Sequence, residues 1–179
     1  MEGEARARLW PLQTGVAVPL GAECSIHTLR QWCSRSAGSP DRVLLKLDFS
    51  NAFNRVNRAA VLRAVRDRMP QLLPWVLWCY RTPSHLRFGD FAPLLSAEGV
   101  QQGDPLGPLL FALAVHPLIE RLAGIEGLDL LQFYLDDGAL CGTAEAVAQA
   151  LRVILQEGPA LGLHLNIDKC ELVVPSGQL

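Results

Sequence analysis

The sequence predicts one α+β domain, an antiparallel sheet with helices packed on one face. Three observations carry this. Two short apolar runs, residues 43–47 and 130–135, have strand length, and each leads into aspartate. Segments between and after them carry apolar residues at helical spacing. Asp137-Gly138 stands between apolar runs, a strong hairpin-tip signal. The resulting order, βααβ(β)αββαβ, suits an antiparallel sheet more than a parallel one.

Residues 1–22 hold Pro11, Gly15, Pro19 and Gly21 and read as extended or looped. Residues 23–36 place Ile26, Leu29, Trp32 and Cys33 at helical spacing. A turn at Ser39-Pro40-Asp41 precedes the first strand. There, alternation puts Val43, Leu45 and Leu47 on one face, and Leu44, Lys46 and Asp48 on the other. Asn57 is a candidate N-cap for a helix with the stripe Val61, Leu62, Val65 and Met69, stopped by Pro70. A Leu- and Trp-rich helix follows near 71–80. Residues 85–100 read as a hairpin turning near Gly89-Asp90. Residues 105–121 are apolar almost all round, the mark of a helix buried on most faces. After the strand at 130–135, residues 139–142 return as its partner. Thr143 caps a helix with Val147, Leu151, Ile154 and Leu155 on one side, and residues 162–174 end as strand.

Half of the 179 residues are hydrophobic and 19% are charged, enough for a real core. The net charge is −2, which counts against strong autonomous nucleic-acid binding without excluding a basic groove. Arg55, Arg58, Arg63, Arg66 and Arg68 cluster, and together with Lys46 they read as a charged outer face in preference to a nucleic-acid contact. Five dispersed Cys with no Cys-x-x-Cys pair argue against a disulfide framework or zinc site and for a reducing compartment. The four His fit no metal spacing. Neither a signal peptide nor a transmembrane segment is visible, so an intracellular location, nuclear or cytoplasmic and without membrane contact, is expected.

Asp48, Asp136 and Asp137 are the candidate chemistry. Taken singly, a strand-end aspartate is a turn residue more often than a ligand. Together, three carboxylates at the ends of buried strands repel one another and call for a cation. An oxygen-only donor set favours Mg²⁺, with Mn²⁺ as substitute, over zinc. Two such ions suit an in-line phosphoryl displacement.

Around these residues the chain resembles the reverse transcriptases. Residues 47–54 read Leu-Asp-Phe-Ser-Asn-Ala-Phe-Asn and look like motif A. Residues 99–111, Gly-Val-Gln-Gln-Gly-Asp-Pro-Leu-Gly-Pro-Leu-Leu-Phe, look like motif B. Residues 133–137, Phe-Tyr-Leu-Asp-Asp, look like motif C, and residues 162–169, Gly-Leu-His-Leu-Asn-Ile-Asp-Lys, like motif D. Four motifs in order are far more specific than a lone Tyr-x-Asp-Asp. The long motif B, and the segment from Gly15 to His27, resemble non-LTR retrotransposon enzymes more than retroviral ones.

The resemblance implies a polymerase palm with an antiparallel sheet and packed helices, partial fingers and no thumb. Residues 1–40 would be a fingers lead-in and 41–179 the palm. It implies an RNA-directed DNA polymerase, a nucleotidyltransferase joining dNTPs to a primer 3′-hydroxyl on an RNA or DNA template. Asp48, Asp136 and Asp137 would be catalytic and hold two Mg²⁺ ions, with the backbone carbonyl of Phe49 as a further metal contact. Phe53 would be the steric gate against a ribose 2′-hydroxyl, where RNA-dependent RNA polymerases usually carry Asp. Gln102 and Gly103 would line the nucleotide, Lys169 would act on the leaving pyrophosphate, and Tyr134 would support the primer. Each has a plainer reading: Phe53 as core, Gly103 as a turn, Tyr134 as a strand aromatic, Lys169 as a solvated charge. Asn54 stands where many relatives have Asp. The fingers Lys and Arg that grip triphosphate have no match in residues 1–14, and the chain stops just after motif D. Three readings of activity follow: a polymerase core, a non-catalytic retrotransposon remnant that binds protein or nucleic acid, or an untranslated or unstable remnant with no function. Truncated sheet edges would expose apolar surface and favour a protein partner.

Overall fold

A computed structural model describes residues 1–87, 89, 91, 92 and 94–175. The helices are α1 (Glu2–Leu9), α2 (Gly21–Ser36), α3 (Ala52–Arg55), α4 (Arg58–Arg68), α5 (Leu73–Tyr80), α6 (Gly107–Ala123) and α7 (Ala144–Glu157). The strands are β1 (Arg42–Leu47), β2 (Ser84–Leu86), β3 (Leu94–Ser96), β4 (Leu128–Tyr134), β5 (Asp137–Thr143) and β6 (Glu171–Val173). Four of them form an antiparallel sheet in the order β4-β5-β1-β6, and β2 pairs with β3 as a separate hairpin. This is the α+β architecture expected from the sequence.

Register explains the two faces. Leu45 lies opposite Leu140, which lies opposite Leu131, and Leu47 lies opposite Gly138, which lies opposite Phe133. These side chains are buried with Phe111, Val147 and Ile154 of α6 and α7. Each large one contributes roughly 1.5–3 kcal/mol on leaving water. The other face carries Lys46, Ala139, Gln132, Tyr134 and Asp137. The alternation read for residues 43–48 is therefore the one observed.

Local signals account for most helices. The Asn57 side chain accepts from the Ala59 and Ala60 amides at 2.8 and 3.2 Å, and the Thr143 hydroxyl oxygen accepts from the Ala146 amide at 3.1 Å. Both caps are where the sequence put them. α6 buries twelve of its residues, as its all-round apolarity required.

Four expectations fail, and one short helix is added. Residues 2–9, expected to be extended or looped, form α1. No Pro or Gly breaker follows Gly3 until Pro11, and the acids Glu2 and Glu4 lead while Arg6 and Arg8 trail, which suits the helix dipole. Not all helices share one face: α2 lies across the opposite one, and its Ala22, Ser25, Ile26 and Leu29 line a 360 Å³ groove with Lys46, Gln132 and Tyr134. A four-residue helix, α3, precedes the Asn57 cap. Leu155, read on the packed side of α7, is 52% exposed. The hairpin tip is not Asp137-Gly138. Tyr134 pairs with Asp137, so Leu135-Asp136 is the two-residue turn, with Leu135 at φ 59°. Gly138 belongs to β5, paired with Leu47 and Phe133, and glycine suits it because a Cβ there would lie 2.6 Å from the Phe133 ring. The β2–β3 hairpin is present, but Asp90, read near its turn, lies outside the described residues.

The N-terminal segment extends the sheet. The Phe133 amide donates to the Leu12 carbonyl at 2.9 Å, and the Thr14 amide donates to the Phe133 carbonyl at 2.8 Å. Gln13, fully buried, donates from Nε2 to the Ala112 carbonyl at 2.8 Å. Residues 12–14 thus cover the outer edge of β4 beside the Tyr134–Asp137 turn. No helix among the described residues is long and apolar enough to cross a membrane.

Candidate active site

Asp48 follows β1 and Asp137 opens β5. Leu47 is paired with Gly138, so continuing the antiparallel register by one residue sets Asp48 level with Asp137 on the face away from α6 and α7. Asp136 is in the turn between β4 and β5. It borders a small apolar cavity with Phe49, Phe111, Leu135 and Leu163. That burial raises the Asp136 carboxyl above its ordinary value. A backbone hydrogen bond works against it, and the charges of Asp137 and Asp48 add to it. The Lys46 ammonium pairs with Glu171 at 3.0 Å, which raises it, and it also feels Asp137 and Asp48. Among the described residues no three His, Cys, Asp or Glu side chains form a closed metal-holding group. The donor chemistry nonetheless fits a hard divalent cation. Asp48, Asp136 and Asp137 stand at two neighbouring strand ends, and burial and like charge raise Asp136.

Asp48 is anchored from the far end of the chain. The Asn166 amide donates to the Asp48 carbonyl at 2.9 Å, and the Ser50 amide donates to the His164 carbonyl at 2.8 Å. These bonds make the Phe49–Leu165 bridge, with the Phe49 side chain in the core. Motif D is therefore fastened beside motif A. Lys169 is exposed on the short turn Ile167–Lys169 that follows.

Phe53, half-buried in α3, stacks on Phe111 of α6 with ring centroids 4.4 Å apart and 11° between planes. The ring packs against the core, as its plainer reading, a core Phe, expects. Gln102 is exposed, and its Nε2 is 3.5 Å from Asn54 Oδ1. Gly103 has φ +90° with open space around it, so the turn itself requires glycine. Gln102 and Asn54 line a 950 Å³ cleft under the β2–β3 hairpin. Tyr134 is 38% exposed at the end of β4, on the same face as Asp137. The structure thus gathers Asp48, Asp136, Asp137 and Tyr134 at one end of the sheet. Phe53, Gln102 and Gly103 form a second group along α3 and the loop before α6.

The arginine reading needs correction. Arg63 and Arg66 are exposed as expected, and Arg68 pairs with Glu120. Arg58 is buried, held by carbonyl oxygens and a tyrosine ring. Sequence reasoning also missed Gln13. A polar residue between Leu12 and Thr14 carries no periodic signal, and only the packed edge of β4 reveals its role.

The family model for reverse transcriptase (RNA-dependent DNA polymerase) matches residues 17–178. The Pol polyprotein of the type-1 retrotransposable element R2 of Nasonia vitripennis is 31% identical over 147 residues, 74% of this chain and 14% of that protein. The SLACS 132 kDa retrotransposable-element protein of Trypanosoma brucei gambiense is 30% identical over 140 residues, 75% of this chain and 12% of that protein. The chain therefore spans about one seventh or less of these relatives. Candida albicans telomerase, solved with a fragment of telomeric RNA, superposes with a TM-score of 0.67 at 11% identity, over 99% of this chain and 33% of that one. Apo telomerase from Candida tropicalis gives 0.65 at 13% identity, over 99% and 40%. At such identities the likeness shows the fold, a partial reverse-transcriptase palm. The match over residues 17–178 shows the family: this chain belongs to the reverse transcriptases, by family RNA-directed DNA polymerases related to those of non-LTR retrotransposons.

Proposed function

We propose that this chain supplies the catalytic palm for template-directed DNA synthesis, joining a dNTP to a primer 3′-hydroxyl. Residues 1–40 serve as a fingers lead-in and 41–179 as the palm. The observation that supports the reading is the Leu47–Gly138 pairing, from which Asp48 and Asp137 are the next residues at neighbouring strand ends, with Asp136 in the turn between β4 and β5. Asp48, Asp136 and Asp137 would hold divalent ions, Mg²⁺ by donor chemistry, with the Phe49 carbonyl beside them. The chemistry such ions supply when bound is activation of the attacking hydroxyl and neutralisation of the leaving pyrophosphate.

The remaining work falls to this chain's own groups. The Phe53 ring, held flat on Phe111, would be the wall that a ribose 2′-hydroxyl meets. Gln102 offers an amide to base, sugar or phosphate at the rim of the cleft, and Gly103 lets backbone approach closely. Tyr134 presents a ring to the primer end on the Asp137 face. Lys169, exposed after motif D, is the proton source for pyrophosphate. Positioning and charge stabilisation together drive phosphoryl transfer, so the Asn166 amide that holds the Asp48 backbone serves the chemistry alongside the carboxylate.

Primer extension on an RNA template with Mg²⁺ or Mn²⁺ tests the reading. Extension by the parent is expected, with loss of at least about a hundredfold in Asp136→Asn. Phe53→Ala should keep extension and admit ribonucleotides. Folded parent that never extends a primer sinks the polymerase reading and leaves the non-catalytic one.

A further inference from the structure

Arg58 is a buried cation whose own helix gives it no reason to be there. It opens α4, where a cation opposes the helix dipole. It is 8% exposed, and no carboxylate pairs with it among the described residues. Burial lowers its affinity for its proton, and Tyr80 works the other way. An unpaired buried cation at a helix start costs stability that a neutral side chain would not, and broken local rules of this kind cluster at functional sites.

Its donors all point at one segment. Nε donates to the Gly99 carbonyl at 2.9 Å, one terminal nitrogen to the Ser96 carbonyl at 2.6 Å, and the other to Ser96 Oγ at 2.9 Å. The guanidinium carbon lies 5.3 Å from the Tyr80 ring centroid. The chain of contacts continues. The Tyr80 hydroxyl donates to Asp104 and accepts from the Gln101 amide at 3.1 Å, while Asp104 accepts from the Leu106 amide at 2.9 Å. Burial, then the Asp104 bond, pushes the Tyr80 phenol up to about 12, so it stays a donor throughout the physiological range. On the other side the Val100 amide donates to the Phe53 carbonyl at 2.9 Å, and the Gly99 amide donates to the Val56 carbonyl at 2.9 Å. Gly99 lies so close to α3 that a Cβ there would be 2.4 Å from Asn54 backbone.

We infer that Arg58, with Tyr80 and Asp104, is a positioning residue that locks the loop carrying Gln102 against the α3 turn carrying Phe53, so fixing the two walls that select the nucleotide. This rests on the polymerase reading for its consequence, but the ordering of the loop is measurable without catalysis.

Arg58→Met keeps the bulk and deletes the donors. Deleting the guanidinium leaves the Gly99 and Ser96 carbonyls without this donor, a loss that falls on the loop itself, so the variant should loosen the loop before it unfolds the domain. Tyr80→Phe removes only the hydroxyl and is the second arm. In both, amide hydrogen exchange across residues 97–104 should quicken about tenfold while β1 and α6 stay as in the parent. In primer extension, KM for dNTP should rise about tenfold with kcat within about threefold, the mark of lost nucleotide binding rather than lost chemistry. Unchanged exchange at 97–104 in both variants overturns the inference, and so does acceleration spread over the whole chain in both. Local acceleration with an unchanged KM overturns the nucleotide role. A folded parent that does not extend primers sinks the polymerase reading and the nucleotide role with it, while exchange still decides the ordering role.

Discussion

At the scale of single residues, the site is a set of charges held in tension. Asp136 is half-buried over an apolar cavity and flanked by Asp137 and Asp48, and its carboxyl is raised. A carboxyl that holds its proton more readily folded than unfolded favours the fold below the ordinary carboxylate value. That margin is lost as pH rises through the raised one. Asp136→Asn should therefore melt at or above the parent at pH 7, by no more than about 2–4 °C given solvent screening. The difference should vanish in acid, where the parent is itself neutral. Millimolar Mg²⁺ or Mn²⁺ should raise the parent's melting temperature and move the Asn variant much less, by mass action on the folded state. Equal shifts in both would count against a cation held by Asp136. The carboxylates, Phe53, Gln102 and Tyr134 were legible in the sequence because short ordered motifs carry them. Arg58 and Gln13 were not, since each is defined by carbonyls distant in sequence, Gly99 for one and Ala112 for the other.

At the scale of elements, the hairpin that carries Asp136 depends on Gly138 for space. A Cβ there would meet Phe133 ring atoms at 2.6 and 2.9 Å and Leu47 Cδ1 at 3.1 Å, and both side chains are buried. Gly138→Ala should cost about 1–3 kcal/mol by overpacking, read as a lower urea midpoint at unchanged slope. Gly138→Asn should fare no better. Were Gly138 instead a turn glycine, Asn would be tolerated there and Ala would not. The same element shows where periodicity stops informing. Strands β1, β4 and β5 and helices α4, α6 and α7 follow from spacing and caps, because one face of each meets the core. The turn register did not follow, since Asp-Gly is chemically a good tip and only strand pairing displaces it by two residues. Helix α2 was found, but not its side of the sheet, because amphipathicity names an apolar face without naming what it covers.

At the scale of the whole molecule, the sheet among the described residues is finished at one edge and bare at the other. Residues 12–14 pair along β4, whereas β6 is three residues long and leaves Leu172, Val173 and Val174 at 65, 42 and 58% exposure. Leu172 lies opposite buried Leu45, so the helix layer does not reach over this strand. The edge therefore combines unpaired backbone with apolar side chains, the arrangement that invites strand addition. Lys46 and Glu171, paired across β1 and β6, blunt it only on the other face. The chain is accordingly expected to self-associate as its concentration rises, through β6. Leu172→Lys should shift sedimentation toward monomer, because an edge charge resists pairing with a second copy. The substitution lies well away from Phe53 and Gln102 in sequence and on a strand neither belongs to, so it should leave nucleotide selection unchanged. Sedimentation that stays concentration-dependent in Leu172→Lys would move the contact elsewhere. The exposed Trp75 and Trp78, whose rings lie 5.2 Å apart on α5, are the next surface to charge, and Trp78→Lys would then be the variant that restores the monomer.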